Sequence, residues 1–477
     1  MRKYTLSYVL MTIAVTISAG LIHQSLPPDE YPTDSVFHVA IVGRGVESGA
    51  VPGGDLLKGV KAAMDDTGLS ADKISGTDRR TISVLTKGLD DNNDPDRARR
   101  IARKLSEDPS VLAVIGHSST DTTHEAAQIY AQAGIPLIIP LATAHIVALR
   151  EPSEEVKAAS RLADSQMVQA PEMRLPNCLR LAPDDDEVQA PAIALLVISR
   201  RFARAFIVID SKNGTTYSRN LAQRIEALLQ EALNRSNSDS SNTKLELKTK
   251  ETYENTDQKS TIDRIVKVLK LDQNDVIIFC GYKDEAIPFL ADLAQAYRNR
   301  SPTNTNWPAV IGSDACENLE VNSEGFRVYR AQPIDVPAFG ANPPLWKPGN
   351  ALKRIADAAQ PNKPSMSAPL IYGYDAVQIL AKAIDKCKGK NSISRRCVLD
   401  SLTQTPVFPG SCFPYTFRDG DVVPSDFYML YSQEVARRDF VPKGGATQQL
   451  CQQANNAHER CMIPLPRINQ FLAEACP

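Results

Sequence analysis

The sequence predicts an α/β protein of two lobes, each built on a doubly wound parallel β-sheet. Buried apolar runs alternate with helical patterns in two series, from residue 37 to residue 144 and from residue 205 to residue 311. This alternation is typical of parallel sheets, because parallel strands need a crossover, usually a helix, between them. A chain of 477 residues is long enough for two domains with substantial cores.

The first series is expected to contain three strands and two helices up to residue 115. Strands are expected at residues 37–42, 81–86 and 111–115, and helices at residues 55–66 and 96–107. The second series is expected to contain strands at 205–209, 244–250, 275–279 and 309–311, and helices at 218–233, 261–270 and 285–298.

Residues 111–144 point to a binding site. The apolar run Val111–Ile115 ends in Gly116, and residues 118–123 place five hydroxyls and one carboxylate where a helix should start. Free amides at a helix start favour an anion, and Ser or Thr side chains add donors. A second buried run, 135–140, ends on the same sheet edge. We therefore predict that a carboxylate binds between these two turns; the alternative is an ordinary βαβ unit in which the hydroxyls only cap a helix.

This stretch resembles the leucine/isoleucine/valine-binding branch of the type I periplasmic binding proteins, the receptors of amino-acid ABC importers. The shared motifs are Ile115-Gly116-His117, the Ser/Thr-rich segment 118–123, Ile129-Tyr130, Gly134-Ile135, Pro140 and Ala142-Thr143, and they match without a gap. The resemblance extends over residues 37–441. It implies a type I periplasmic-binding-protein fold, in which three crossings join the two lobes, here near 179–183, 324–333 and 416–421.

The resemblance also implies the positions of the ligand-binding residues. In the second lobe it matches Tyr217, Gly281-Tyr282 and Gly312-Ser313-Asp314, although the family has Glu where this chain has Asp314, one methylene shorter. The implied ligand-binding residues are Ser119, Thr120, Leu141, Ala142, Thr143, Tyr217, Tyr282 and Asp314. The first-lobe group would hold a carboxylate, the Leu141 carbonyl and Asp314 would hold an ammonium, and the two tyrosines would close over the ligand.

The resemblance also yields a division of the chain. Residues 1–34, from their own charge and hydropathy pattern, are expected to form a signal peptide or membrane anchor with a spacer, and residues 444–477, outside the resemblance, a Cys-containing tail. Lobe 1 comprises residues 35–183 and 334–412, and lobe 2 comprises residues 184–333 and 413–443. Residues 146–176 depart from the family and are expected to be a surface insertion.

The implied function is that of an exported solute-binding receptor which closes its lobes on a small ligand, expected to be an α-amino acid, and delivers it to ABC permease subunits. A ligand-sensing domain of the same fold with a sensor partner, and a binder of amides or urea, remain open alternatives. We expect no enzymatic activity and no cofactor.

Other functional classes fit the sequence less well. The glycines at 43, 45 and 49 have a looser spacing than the dinucleotide-binding fingerprint, and no acidic residue closes the next strand. Residues 116–120 begin like the nucleophile elbow of hydrolases, but Thr120 replaces the required Gly, so His117 is expected to be a structural hydrogen-bonding residue. The net charge of −2 and scattered basic residues do not indicate nucleic-acid binding, and the six dispersed His do not indicate a metal site.

The N-terminus and the cysteines indicate export. Arg2 and Lys3 precede an uncharged run, 4–22, which predicts an export signal and is also long enough for an uncleaved anchor, the only expected membrane contact. The expected location is the periplasm or the outer face of the plasma membrane. Six of nine cysteines crowd the last quarter of the chain, which allows three disulfides and fifteen connectivities, Cys387 with Cys397 being the pair that a turn could close. The other three, Cys178, Cys280 and Cys316, are expected to be buried thiols.

Overall fold

A computed structural model provides the structure of the chain. It describes residues 36–50, 52–69, 81–84, 88–144, 175–210, 215–236, 245–253, 262–266, 273–300, 307–313, 315–316, 326–330, 332–334, 354, 367–388, 393–408, 410–411, 415–418, 420–422, 428–432 and 460–464. The N-terminal segment, most of the 146–176 insertion, Asp314 and most of the C-terminal tail lie outside the described residues.

The described helices and strands follow the order expected from the sequence. The strands are β1 Val36–Ile41, β2 Thr81–Val84, β3 Val111–Ile115, β4 Leu137–Ile139, β5 Cys178–Arg180, β6 Arg204–Asp210, β7 Glu246–Tyr253, β8 Asp275–Cys280, β9 Ala309–Gly312, β10 Arg327–Arg330, β11 Gln332–Ile334, β12 Val407–Phe408, β13 Tyr415–Arg418, β14 Asp421–Val422, β15 Tyr428–Ser432 and β16 Arg460–Pro464. The helices are α1 Gly53–Thr67, α2 Pro95–Glu107, α3 Thr120–Gln132, α4 Ala190–Ser199, α5 Thr215–Ser236, α6 Lys283–Arg300, α7 Ala368–Lys388 and α8 Arg395–Thr403.

The first lobe is built on an eight-stranded sheet in the order β12-β13-β14-β5-β4-β3-β1-β2. The strands from β2 to β5 pair in parallel, and β14 pairs in parallel with β5. Side chains of β1, and of Val42 directly after it, alternate between two cores: Phe37 and Val39 pack with α1 and α7, whereas Ala40 and Val42 pack with α2 and α3. Helices therefore cover both faces, which makes the strands continuously apolar in sequence.

Two glycines allow α1 and α7 to pack closely on one face of this sheet. A Cβ built on Gly59 would lie 1.8 Å from the Leu370 carbonyl oxygen, and one built on Gly373 would lie 2.3 Å from the Leu56 carbonyl oxygen. Neither distance is possible between real atoms, so the two backbones meet where side chains are absent. This contact joins an early helix of the first lobe to the helix that returns to it late in the chain.

The second lobe is built on a five-stranded parallel sheet in the order β10-β9-β8-β6-β7. Ala205 and Ile207 of β6 face a core with α4 and α5, and Phe206 and Val208 face a core with α6. The prediction of two doubly wound parallel sheets is thus confirmed. At the start of the sheet, Arg204 forms a two-point ion pair with the buried carboxylate of Asp275, at 2.7 and 2.6 Å.

Antiparallel pairing adds structure that the sequence patterns did not predict. A third sheet has the order β11-β15-β16, with antiparallel pairs throughout. Its strand β16 comes from the tail that the sequence-based division placed outside the fold. Strands β13 and β14 lie in the first-lobe sheet, although that division assigned residues after 412 to the second lobe. These strands are two to five residues long, too short to show a periodic pattern.

Cys387 and Cys397 form a disulfide between α7 and α8, with their Cα atoms 5.9 Å apart. The prediction that a turn could close this pair is confirmed. Cys178, Cys280 and Cys316 are buried thiols, as expected. In the part of the chain that the structure describes, no helix combines the length and apolar character needed to cross a bilayer.

Candidate functional site

Hydrogen bonds join three turns of the first lobe at the carboxyl edge of its sheet. The Gly45 N–H donates to the Asp90 carboxylate at 2.9 Å, which connects the turn after β1 to the turn before α2. The Arg44 N–H donates to the Ser118 hydroxyl at 2.9 Å, which connects the same turn to the one after β3. The positions of these turns therefore depend on each other.

His117 anchors the turn after β3 through buried hydrogen bonds. Its Nδ1 lies 2.7 Å from a carboxylate oxygen of Asp91 and its Nε2 lies 3.3 Å from the hydroxyl of Tyr130, and all three side chains are fully buried. Burial raises the pKa of Tyr130 far above its usual range, and the nearby Asp91 charge raises it further. The Tyr130 hydroxyl therefore stays protonated. The predicted structural role of His117 at the strand end is confirmed.

Helix α3 begins at Thr120, and no side chain caps its first turn. The preceding residue, Ser119, is extended and gives no side-chain cap; its hydroxyl instead pairs with the Thr122 hydroxyl at 2.7 Å. The Thr123 hydroxyl donates to the Ser119 carbonyl at 2.6 Å. Thr120 is buried, and within the described part of the chain its hydroxyl has no hydrogen-bonding partner. The turn thus keeps one hydroxyl and the first-turn amides available for an anion.

The turn after β4 leaves the sheet beside the turn after β3. Strands β3 and β4 pair in parallel, with Ile115 opposite Ile138, so both exits lie at one edge. Leu141 is half-buried, whereas Ala142 and Thr143 are buried. The Thr143 carbonyl accepts a hydrogen bond from Arg180, while its hydroxyl has no partner among the described residues. The structure therefore brings the predicted first-lobe residues to neighbouring turns.

In the second lobe the two predicted tyrosines pack against each other. The rings of Tyr217 and Tyr282 have centroids 5.2 Å apart and planes inclined by 38°. The Tyr217 hydroxyl donates to the side-chain oxygen of Gln189 at 3.4 Å. Asp314 lies outside the described residues, but its neighbour Ser313 donates a hydrogen bond to the Gly281 carbonyl at 2.6 Å. The turns after β8 and β9 are thus joined next to Tyr282.

The two lobes contact each other at the cleft. Helix α3 of the first lobe, which begins at Thr120, contacts helix α5 of the second lobe, which begins at Thr215. At the rim, the Arg44 guanidinium and the Asp284 carboxylate form an ion pair at 2.5 Å, with the two side chains 44% and 55% exposed. Asp284 stands two residues after Tyr282, so this pair joins the turn after β1 in the first lobe to the start of α6 in the second.

Sequence reasoning missed three residues that organise this region: Arg44, Asp91 and Arg180. Arg180 had one local signal, a charged residue between Leu179 and Leu181 in an apolar strand. Arg44 and Asp91 stand among other polar loop residues and had no distinguishing signal. Each of the three also has a partner that is distant in sequence, Asp284 for Arg44, His117 for Asp91 and Asp421 for Arg180, and these contacts follow only from the fold.

Comparison with known proteins shows which family the chain resembles as a whole. The sequence profile described as periplasmic binding protein matches residues 46–434. No functionally curated protein matches the chain.

Solved structures with the same fold include transport receptors of different ligand class. A branched-chain amino acid transporter substrate-binding protein from Streptococcus pneumoniae, in complex with isoleucine, has a TM-score of 0.56 and 18% identity, covering 83% of this chain and 96% of that one. A leucine binding protein from Thermotoga maritima has a TM-score of 0.58 and 16% identity, covering 83% and 95%. A solute binding protein from R. palustris, in complex with benzoate, has a TM-score of 0.56 and 15% identity, covering 83% and 93%. At such identities the likeness establishes the fold alone.

Proposed function

The chain belongs to the periplasmic binding protein family, and from that premise we propose that it is a receptor for an α-amino acid that delivers its ligand to an ABC importer. Members of the family are extracytoplasmic substrate-binding proteins and not enzymes. The observation that carries the amino-acid proposal is that two buried threonines on neighbouring turns, Thr120 and Thr143, have hydroxyls with no partner among the described residues.

The first lobe would hold the ligand carboxylate. The hydroxyl of Thr120, the first-turn amides of α3 and the hydroxyl of Thr143 are all donors at one sheet edge, and the helix dipole favours negative charge there. Charge-assisted hydrogen bonds contribute about 1.5 to 3 kcal/mol each. A few of them offset the cost of ordering a small ligand and leave an affinity of about micromolar or better. Ser119 and Ala142 would form the adjoining wall.

The second lobe would complete the site around the ammonium. The carbonyl of Leu141 and the carboxylate of Asp314 would accept its hydrogen bonds, and the packed rings of Tyr217 and Tyr282 would cover the ligand. Because the two halves of the site belong to different lobes, the ligand binds the closed form more tightly than the open form and shifts the population toward it. The closed form is what a permease, or the partner of a sensor, would recognise.

A thermal-shift screen tests the ligand class. The panel comprises the twenty amino acids, short peptides, amides including urea, and benzoate, which offers a carboxylate without an ammonium. A ligand at a hundredfold excess over its dissociation constant stabilises the folded protein by about 2.7 kcal/mol. Stabilisation by amino acids supports the proposal. Stabilisation by amides or benzoate alone would replace it with a receptor for neutral or acidic solutes.

The Thr120→Ala variant tests the proposed carboxylate site directly. Loss of one donor to a charged ligand should weaken binding by about 1 to 3 kcal/mol without unfolding the protein. Titration calorimetry with the amino acid identified in the screen provides the measurement. Thr67→Ala is the matched control, because the Thr67 hydroxyl donates only to carbonyls of its own helix, α1. Unchanged affinity in a folded Thr120→Ala protein would remove Thr120 from the site.

A further inference from the structure

Arg180 is a fully buried arginine at the carboxyl end of β5, where the chain leaves the first lobe. Its guanidinium contacts three separate segments. Nε donates to the Asp421 carboxylate at 2.9 Å, Nη2 donates to the Asp184 carboxylate at 2.5 Å, and Nη1 donates to the Thr143 carbonyl. Each of its three nitrogens therefore has an acceptor.

These three segments are the ones that ligand binding and lobe closure would involve. Thr143 belongs to the proposed carboxylate site, and Asp184 stands at the start of the second lobe. Asp421 lies in β14, which pairs with Arg180 itself in the parallel ladder. The side chain of Arg180 and its backbone thus both contact strand β14. A planar, forked donor set can satisfy three acceptors at once, which the single ammonium of lysine cannot do with the same directions.

We propose that Arg180 is a positioning residue, which holds the Thr143 turn in its ligand-competent form and joins it to the chain segments at Asp184 and Asp421, next to two of the three expected crossings between the lobes. This inference rests on the proposed function for the role of Thr143. By occupying the Thr143 carbonyl, Arg180 fixes the peptide plane from which the threonine side chain projects. The carboxylates of Asp184 and Asp421 fix the guanidinium in turn, so the turn and the connections move as one unit.

Arg180→Lys tests the proposal, with Arg204→Lys as a matched control. Arg204 also pairs its guanidinium with a buried carboxylate, that of Asp275, but it lies at the start of β6 in the second lobe. Two readouts are compared for both variants. One is amide hydrogen exchange in residues 141–144 without ligand, and the other is the rise in melting temperature caused by an equimolar mixture of the twenty amino acids.

The expected result is a local change in Arg180→Lys only. Exchange in residues 141–144 should become about tenfold faster, equivalent to about 1.4 kcal/mol, and the stabilisation by the amino-acid mixture should fall. Arg204→Lys should change the ligand-free melting temperature. It should change neither the exchange in residues 141–144 nor the rise in melting temperature that the mixture causes. Equal exchange in the two variants would overturn the positioning role. Failure of the wild-type protein to respond to the mixture would overturn the proposed function instead, and the exchange comparison would still decide the role of Arg180.

Asp421→Asn covers the case in which Arg180→Lys fails to fold. The Asp421 side chain is 14% exposed, and its amide replacement keeps the shape while removing one charge that orients the guanidinium. Exchange in residues 141–144 should then be faster than in the wild-type protein. Exchange at the wild-type rate in a folded Asp421→Asn protein would overturn the proposal.

Discussion

At the residue scale, the proposed first-lobe site consists of polar groups held by buried partners. Asp91 and Tyr130 hold His117, Asp90 holds the backbone of Gly45, and Arg180 holds the carbonyl of Thr143. The hydroxyls of Thr120 and Thr143 are the exceptions, since the described structure gives them no partner. A ligand carboxylate would supply an acceptor for both hydroxyls, and such charge-assisted hydrogen bonds contribute about 1.5 to 3 kcal/mol each.

The charge of Asp314 decides between an amino-acid receptor and a receptor for neutral or acidic solutes. If Asp314 pairs with an ammonium in a closed cleft, Asp314→Asn keeps the shape but leaves the ligand charge unpaired. Such losses amount to about 3 to 5 kcal/mol, so amino-acid binding should weaken more than a hundredfold. The ligand-free melting temperature should stay close to that of the wild type. Near-equal dissociation constants by calorimetry would instead indicate that Asp314 only caps a helix, because Asn caps nearly as well.

Asp375 should make stability depend on pH between about 4 and 6. It is fully buried, and burial raises its pKa from 3.8 to about 6, although Ser411 N–H and the Tyr415 hydroxyl donate to it at 2.8 and 2.9 Å. In that window the folded protein keeps a proton that the unfolded chain has released. Rising pH therefore lowers the free energy of unfolding, by about 3 kcal/mol in total, and the loss is complete above about pH 6.

Urea unfolding from pH 4 to pH 7 measures this dependence. Other carboxylates titrate in the same range, so the informative quantity is the difference between the wild type and Asp375→Asn, which has no titrating group at this position. That difference should shift in favour of the variant as the pH rises. A difference independent of pH would show that Asp375 titrates alike in the folded and unfolded chains.

At the element scale, close helix packing joins distant parts of the first lobe. Helices α1 and α7 meet at Gly59 and Gly373, and α7 is joined to α8 by the Cys387–Cys397 disulfide. Arg395 at the start of α8 donates to the carbonyls of Val111 at 2.8 Å and Ala133 at 3.2 Å. The late helices thus pack against a sheet whose central strands come from the early residues.

Gly59→Ala should destabilise the protein, although alanine is the better helix former. In an exposed helix the change would be favourable by about 0.5 to 1 kcal/mol. Here the new Cβ would meet the Leu370 carbonyl, so the helices must separate, and the free energy of unfolding should fall by about 1 to 3 kcal/mol. Lys61→Ala, on the exposed side of α1, is the control and should change stability by less than about 0.5 kcal/mol. A stabilised Gly59→Ala protein in chemical denaturation would contradict the close packing.

At the scale of the whole molecule, the two lobes meet through α3 and α5 and through the Arg44–Asp284 ion pair at the rim. The Arg44 backbone holds Ser118 beside the proposed carboxylate site, while its side chain reaches the second lobe. A contact that exists only when the lobes are together favours the closed form. Its contribution is modest, since exposed ion pairs contribute about 0.2 to 1 kcal/mol.

Exchanging the two charges tests whether this pair favours closure. Arg44→Glu and Asp284→Arg should each weaken amino-acid binding by a few-fold, and the double variant should recover it, because the opposite charges face each other again. The differences should shrink at high salt. Binding is measured by calorimetry at low and high ionic strength.

The Arg99–Glu125 pair provides the control, since it joins α2 and α3 within one lobe at 3.4 Å and is similarly exposed. Exchanging these charges should leave binding unchanged. If the Arg44 and Asp284 variants bind as the wild type does at low salt, the ion pair has no part in closure.

The sequence by itself determined the order and type of the main elements. Val111–Ile115 was predicted with its observed bounds, and most other strands and helices within a few residues. The reason is local: strands covered on both faces are continuous apolar runs, and Gly, Pro and capping residues mark where each run ends. For the same reason the turns at the sheet edge, and hence the candidate first-lobe residues, could be located from sequence.

Only the tertiary structure decided which distant residues meet. Arg180 and Asp421 are 241 residues apart, and Arg44 and Asp284 are 240 apart. The short strands β12 to β14, and β16 in the tail, pair with partners that no pattern in two to five residues specifies. Pairing of this kind depends on which surfaces the larger elements bring together once their cores are buried. The residues next to a side chain in sequence therefore do not indicate which distant residue it will contact.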